Sequence, residues 1–434
     1  MKVAVIGYGI DGKSALHYWQ DKGAEVTICD QAADIDLPAH VRSQLGPNYL
    51  ANLGRFDLVV RSSGIPPEVI LRDNPGIETR ITTVINEFVR VSPTKNIIGI
   101  TGTKGKGTTS TLTAQMLEAA GYKVFLGGNI GISPFDFLDE INPQDWVVLE
   151  LSSHQLSDFT GHIPLAACLM MEQEHLPWHG GLAENYYGAK MNLFKHQTPH
   201  DTAVYFADNQ LSHDIASNSP GKKIPYFASP GAYVENGAIM IDSTELCRTD
   251  ELQLLGEHNW QNACAAVTLV WQVAQTPDPI RNVLTTFTGL PHRLEFVRDV
   301  NGVQYYNDSF ASAPPATEAA MSAIPGNKVL IIGGYDRHLP LDKLVVTIKE
   351  QADQLRGVLL IGQAAERMAE ELSRAEYTNF QVSTADTMAA IVAEATSLTQ
   401  KGDSVVLSPG FPSYDMFQNF EERGLLFKKE VNLL

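Results

Sequence analysis

Short apolar runs, many of them rich in β-branched residues, alternate with stretches of helix length along nearly the whole chain. The first block carries runs at 3–6, 24–30, 58–60 and 82–85; the second at 96–100, 124–126, 146–149, 166–171 and 203–206; the third at 303–306, 329–332, 357–361 and 404–407. Uninterrupted apolar runs suit strands buried on both faces, and helix-length spacers between them predict mostly parallel sheets covered by helices. The predicted fold is α/β in three domains: an N-terminal Rossmann-like domain over 1–92, a central domain over 93–289 and a C-terminal Rossmann-like domain over 290–434. Ser92-Pro93 and Gly289-Leu290-Pro291 mark the joints. No internal repeat or low-complexity tail interrupts the pattern.

The joints between strand and helix carry the chemistry. Residues 98–110, IGITGTKGKGTTS, set an apolar run directly before Gly102-Thr103-Lys104-Gly105-Lys106-Gly107-Thr108-Thr109, with a helix predicted from Thr109. Small residues let backbone N–H groups approach an anion, a helix N-terminus adds its positive end, and Lys106 offers a mobile charge for outer phosphates. The central domain is therefore of the P-loop ATPase type. Its spacing is unusual, with two residues between Gly102 and Gly105 and a glycine after Lys106. Thr108 is the preferred hydroxyl for magnesium, with Thr109 as the alternative.

Other segments offer partners for that loop. Glu150 ends the run WVVLE, where strand C-termini gather at a ligand crevice and an oxygen ligand could serve magnesium. Glu174 and His175, with Glu172 and His179, concentrate acids and imidazoles at one turn, either as a second metal site or as a polar loop. Spacing alone places Lys190 and Lys195 on an exposed helical face. Asn259 and Asn262 precede the helical run ACAAVTLVWQVA, and they read either as helix caps or as amides for an adenine edge. In the first block, Gly7-Tyr8-Gly9-Ile10-Asp11-Gly12 follows a strand and precedes Asp30, the pattern of a dinucleotide-binding turn.

Composition narrows the class. The 434 residues are 44% hydrophobic and 19% charged, as in an ordinary globular protein, and 32 basic residues against 50 acidic ones leave a net charge of −18. That balance argues against a nucleic acid or an anionic membrane as partner, so anionic ligands must be held by local sites. No apolar stretch reaches the roughly 20 residues of a membrane span, and a cytoplasmic location is expected. Cys29, Cys168, Cys247 and Cys264 are widely spaced without a metal-ligand pattern and are expected as buried small hydrophobes.

Taken together, the motifs resemble the Mur ligase family, ATP-dependent amide-forming enzymes of peptidoglycan precursor synthesis. The series runs in order through nearly the whole chain: GxGxxG, TGTKGKGTT, GGNIG at 127–131, LELSSHQL, the Glu174-His175 pair, YxxAK ending at Lys190, GEHNWQN, LPHRLE, NDS at 307–309 and SPGFPSYDMFQNF. The resemblance implies glutamate addition, D-glutamate favoured, to UDP-N-acetylmuramoyl-L-alanine through an acyl phosphate. It assigns the UDP part of the substrate to Gly9, Ile10, Asp30, Ser63 and Gly64, and the muramoyl part to Asn129. It assigns ATP to the loop from Gly102 to Thr109, to Asn259 and Asn262, and to Arg293 and Asp308. Two magnesium ions would be held by Thr108, Glu150, His175 and a carbamylated Lys190. Lys106, His175 and Lys190 would be catalytic, and Ser312, Arg337, Ser413 and Phe420 would line the amino-acid pocket. A monomer acting on small molecules is expected.

Four positions depart from the family pattern. Arg337 stands where lysine is usual, Ser312 where threonine is common, Phe310 where lysine usually follows NDS, and His154 where an aromatic is usual. Arginine can hold a carboxylate bidentately, which keeps an acidic amino acid in view. The competing readings are a Mur ligase for L-glutamate or another amino acid, folylpolyglutamate synthase, a nicotinamide-dependent dehydrogenase using GxGxxG, and a non-catalytic nucleotide-sugar sensor. The dehydrogenase leaves TGTKGKGTT and LELSSHQL unexplained, and folylpolyglutamate synthase lacks the N-terminal GxGxxG domain.

Overall fold

The apolar runs form the strands of three separate sheets in a computed structural model that describes residues 1–434 apart from His175 and Leu255. The first sheet has five strands in the order Arg42–Leu45, Glu25–Asp30, Lys2–Ile6, Leu58–Arg61, Ile81–Thr82. All its pairs are parallel. The second has six strands, also all parallel, in the order Lys222–Tyr226, Thr202–Phe206, Leu165–Cys168, Ile97–Thr101, Trp146–Glu150, Val124–Gly128. An antiparallel meander, Tyr233–Glu235, Ala238–Ile241 and Thr244–Arg248, follows it in the chain. The third sheet has six strands in the order Glu295–Val300, Val303–Asn307, Ser404–Leu407, Lys328–Gly333, Leu355–Ile361, Phe380–Val382. Only its edge pair, Glu295–Val300 with Val303–Asn307, is antiparallel.

Two compact units result. The first comprises Met1–Gln253 and Glu257–Phe287, and the second Leu254–Gly256 and Thr288–Leu434. In the first unit one apolar core runs from Val3, Leu16 and Trp19 through Phe88 and Phe135 to Leu149, Leu193 and Ile215, so the two large sheets share buried surface. Ser92, beside the expected joint, is itself buried. The second unit packs helices on both faces of its sheet, with Ile332, Leu344, Leu360 and Met368 in one core and Ile331, Leu359, Ile391 and Phe427 in another. All four cysteines are buried and unpaired by disulfide. No helix among the described residues is long and apolar enough to cross a membrane.

Some elements differ from the pattern's prediction. The run 82–85 is not a strand beyond Thr82; Thr83 caps the helix Val84–Val91 by accepting from the Asn86 N–H, which outweighs the β-branched composition. The predicted strand 166–171 is Leu165–Cys168. Past its end, Leu169 donates to the Thr101 carbonyl and Thr103 donates to that of Met170, so this segment supports the phosphate loop. The helix after that loop begins at Lys106 rather than Thr109. The helix Glu257–Trp271 already contains Asn259 and Asn262, so neither caps it. The meander and the edge strands Arg42–Leu45, Lys222–Tyr226, Glu295–Val300 and Phe380–Val382 lie outside the prediction.

Candidate active site

The glycine-rich loop leaves the central strand Ile97–Thr101 at the point where its neighbours are Trp146–Glu150 and Leu165–Cys168. In open parallel sheets such a place, at the strands' C-terminal ends, is where ligands collect. Gly105 takes a φ of +84° immediately before the helix, and a Cβ there would stand 2.2 Å from Asn262 Oδ1. The positive φ favours glycine, and any side chain there would also displace the Asn262 amide. Lys106, Gly107 and Thr108 then form the first helical turn, and Lys106 Nζ donates to the carbonyls of Gly102 at 3.0 Å and Thr103 at 2.9 Å. Thr103 is buried, and its hydroxyl meets Tyr186 OH at 2.8 Å and the Glu172 backbone. Lys104 is exposed and pairs with Glu172 at 2.9 Å. Thr109 is fully buried beside Asn262, whose amide donates to Asn259 Oδ1 at 3.1 Å, whereas Thr108 is only partly covered.

Lys190 is not on an exposed face. It lies 1% exposed on the inner side of the helix Ala183–Lys195, with Nζ donating to Thr101 Oγ1 at 3.1 Å and the Gly102 carbonyl at 2.9 Å. The Tyr186 ring centroid is 5.0 Å from the same nitrogen. Burial, aided by the neighbouring Lys106 charge, pulls the Lys190 ammonium down to about 7, against Cys168, Glu174 and Glu150. Glu150 is buried too, accepting from Asn129 Nδ2 at 2.7 Å on one carboxylate oxygen. Among the described residues no group of three or more His, Cys, Asp and Glu forms a metal cluster. His175, expected as catalytic and as a metal ligand, lies outside the described residues.

The other residues expected at the UDP site gather at three adjacent strand ends of the first sheet. Gly9 begins the helix Ile10–Asp21, Ile10 is exposed, and the Asp30 carboxylate accepts from the N–H groups of Tyr8 at 2.8 Å and Ala32 at 2.9 Å. Ser63 and Gly64 form the turn after Leu58–Arg61, and Trp178 Nε1 donates to the Gly64 carbonyl at 3.1 Å. Arg61 is fully buried beneath this turn. It donates to both carboxylate oxygens of Asp158, at 2.8 and 2.5 Å, to Ser157 Oγ, and to the carbonyls of Ser62, Ile65 and His154.

In the second unit, the segments after Val303–Asn307, Ser404–Leu407 and Lys328–Gly333 leave adjacent strand ends. Arg337 Nη2 donates to the Ser312 carbonyl at 2.7 Å and the rest of that side chain is exposed. Ser413 is buried with no hydrogen-bond partner for its hydroxyl among the described residues. Phe420 starts the helix Phe420–Leu433. Asp308 is buried, accepting from Ser408 Oγ at 2.7 Å and Leu294 N–H at 3.1 Å; burial lifts its carboxyl to about 7 against those bonds and the charges of Arg293 and Arg423. Arg293 itself lies over the Phe310 ring, 3.8 Å from its centroid.

Residues 100–270 match the Mur ligase middle domain, and residues 292–411 match the glutamate ligase domain of Mur ligases. The UDP-N-acetylmuramoylalanine–D-glutamate ligase of Acetivibrio thermocellus is 36% identical, over 99% of this chain and 96% of its own length. The enzyme of the same name from Clostridium novyi is 35% identical, over 100% of this chain and 97% of its own. This chain belongs to the Mur ligase family. The fold agrees: UDP-N-acetylmuramate-alanine ligase of Thermotoga maritima superimposes with a TM-score of 0.58 at 15% identity, covering 100% of this chain and 99% of that one. The Thermotoga maritima MurF ligase, solved with ADP, gives 0.59 at 17% identity, covering 99% and 94%.

Mur ligases use ATP, and in this member of the family the phosphate loop, Glu150 and Lys190 come together in one region of the first unit. Several further residues of the two units carry no assigned role from sequence, although Tyr186 opens the motif YxxAK and Thr101 opens TGTKGKGTT. Tyr186 sits four positions before Lys190, a helical spacing that does put both on one face. Thr101, which holds Lys190, merely ends a strand. Arg423 is fully buried and donates to Ser309 Oγ and its carbonyl and to the Phe411 carbonyl, with burial drawing it down to about 10; nothing in its surroundings along the chain signals this. His154 keeps a ring contact where the family usually has an aromatic, 4.3 Å from Trp178 between centroids and 5.7 Å, stacked, from His179.

Proposed function

We propose that this chain uses ATP to join D-glutamate to UDP-N-acetylmuramoyl-L-alanine, through an acyl phosphate, in peptidoglycan precursor synthesis. The observation that carries this reading is the buried Lys190 beside a phosphate loop and the strand-end Glu150, in a chain whose full-length relatives bear the name of that reaction. Residues 1–92 take the UDP substrate through Gly9, Ile10, Asp30, Ser63 and Gly64, while Asn129 meets its muramoyl part. Residues 93–289 take ATP through Gly102 to Thr109, Asn259 and Asn262. Residues 290–434 supply Arg293 and Asp308 to the nucleotide and Ser312, Arg337, Ser413 and Phe420 to glutamate. The protein works as a monomer in the cytoplasm.

A carboxylate is a poor electrophile, so the alanyl carboxylate is first phosphorylated by ATP. Lys106 offsets the charge that develops on the transferring group. The glutamate amine, having lost a proton, then attacks the acyl phosphate, and the intermediate collapses to amide and inorganic phosphate. His175 is the residue assigned to that proton. The donor set suits magnesium, which prefers oxygen and accepts one or two carboxylates together with phosphates: Thr108 and the buried Glu150 would hold one ion, and His175 with a carbamylated Lys190 would hold a second. Magnesium held there would neutralise phosphate charge. A buried amine drawn down to about 7 supports carbamylation, because the neutral form predominates above that pH. The guanidinium of Arg337 suits the glutamate side-chain carboxylate, and the buried, unpartnered Ser413 hydroxyl can serve as an additional hydrogen-bonding group.

The test is ADP release with each substrate alone and with both together, comparing D-glutamate, L-glutamate, D-aspartate and L-lysine. ADP should form only with UDP-N-acetylmuramoyl-L-alanine and D-glutamate present together. Turnover with L-glutamate in preference would move the assignment within the family, and none with either enantiomer would overturn it.

A further inference from the structure

The turn His292–Glu295 carries Arg293 between two non-glycine residues in left-handed conformations, His292 at φ +63° and Leu294 at +44°. Such a turn persists only when its surroundings hold it, and here Asn307, Asp308 and Phe310 hold it. Asn307 Nδ2 lies 2.9 Å from His292 Nδ1 and 3.1 Å from Glu295 Oε2. Asp308 accepts from the Leu294 N–H, and Phe310 donates its own N–H to the His292 carbonyl at 3.0 Å. Ser309 Oγ donates to the Phe420 carbonyl at 2.8 Å. The Phe310 ring completes the arrangement, lying 3.8 Å from the Arg293 guanidinium on one side and meeting the Phe420 ring edge-on at 5.0 Å on another.

Phe310 is 41% exposed, a large apolar side chain left at the surface. Burial therefore does not explain its ring, whereas a flat face under a guanidinium does. A lysine at this position would instead set a second cation beside Arg293. We propose that Phe310 is a positioning residue: its ring fixes the Arg293 guanidinium in the orientation used on the nucleotide and links that arginine to Phe420 of the amino-acid pocket. The inference rests on the roles of Arg293 and Phe420 in the proposed function.

The test uses the full chain as parent, F310L, R293A and the double variant, with F310W as the conservative replacement. F310L keeps apolar bulk but removes the ring face, so the KM for ATP should rise about 5- to 30-fold, with that for glutamate changing about twofold or less. F310W should restore the ATP value to within about threefold of the parent. In the R293A background, F310L should add nothing further, because the ring acts through the arginine. The same proteins, unfolded in urea and followed by amide hydrogen exchange of the strands in 303–407, should show non-additive stability changes without any substrate. An unchanged ATP KM in F310L, equal impairment in F310L and F310W, or additive effects on ATP KM would overturn the proposal, the last even if the stability changes are non-additive. If the parent releases no ADP with either glutamate, the functional reading falls and the nucleotide role of Phe310 falls with it; non-additive stability changes would still register the stack.

Discussion

A buried lysine held by a hydroxyl and a carbonyl is costly to keep charged, and Lys190 shows how the cost is met. Its ammonium is drawn to about 7 by burial and by Lys106, against an ordinary value of 10.5. Between those two values the unfolded chain binds more protons at this site than the folded one, so this site adds stability as pH rises through the window and withdraws it as pH falls towards 7. Lys190→Met should therefore flatten the rise of urea stability between about pH 7 and 9.5 relative to the parent; parallel pH profiles would exclude the shifted lysine. The same neutral amine can attack carbon dioxide, forming a carbamate and releasing a proton. Lys190→Ala should lose about 100-fold or more in turnover, partly regained with acetate or formate in the assay, and wild-type activity in that variant would exclude the carbamate role.

At the scale of elements, the phosphate loop depends on contacts made far along the chain. Gly105 faces Asn262 of the helix Glu257–Trp271, and Thr103 is fastened to Tyr186 and Glu172. Gly105→Ala would meet both a positive φ and a Cβ contact of 2.2 Å to Asn262; it should cost about 1–3 kcal/mol and abolish the rise in melting temperature that ATP gives the parent. A retained ATP-dependent shift would show that the loop tolerates a different path. These contacts also explain what the sequence left unread. Runs such as 146–149 and 329–332 were legible as strands because burial on both faces leaves an apolar signature. The helix Val84–Val91 was hidden by its β-branched start, since the deciding feature is one hydroxyl cap. The loop's lysine and glycines were legible, but not the burial of Lys190, because its surroundings are assembled from segments 88 and 89 residues away.

At the scale of the molecule, the first unit combines two sheets that sequence reading divides at Ser92. Their shared core and Arg61 bind them: a guanidinium with no exposed side-chain surface reaches Asp158, 97 residues away, and the carbonyl of His154. Arg61→Ala empties a fully buried site and leaves the partly exposed Asp158 carboxylate and three carbonyls without their donor, so it should cost about 2–4 kcal/mol. All five tryptophans, Trp19, Trp146, Trp178, Trp260 and Trp271, belong to this unit and none to the second. Tryptophan fluorescence in urea thus reports the first unit alone. With the core continuous across both sheets, the parent should give one tryptophan transition, and Arg61→Ala should lower its midpoint while leaving amide hydrogen exchange of the second unit's core strands unchanged. Two resolved tryptophan transitions in the parent would mean that the sheets unfold independently. An unchanged midpoint in Arg61→Ala would mean that the apolar core, rather than the Arg61–Asp158 pair, holds them together.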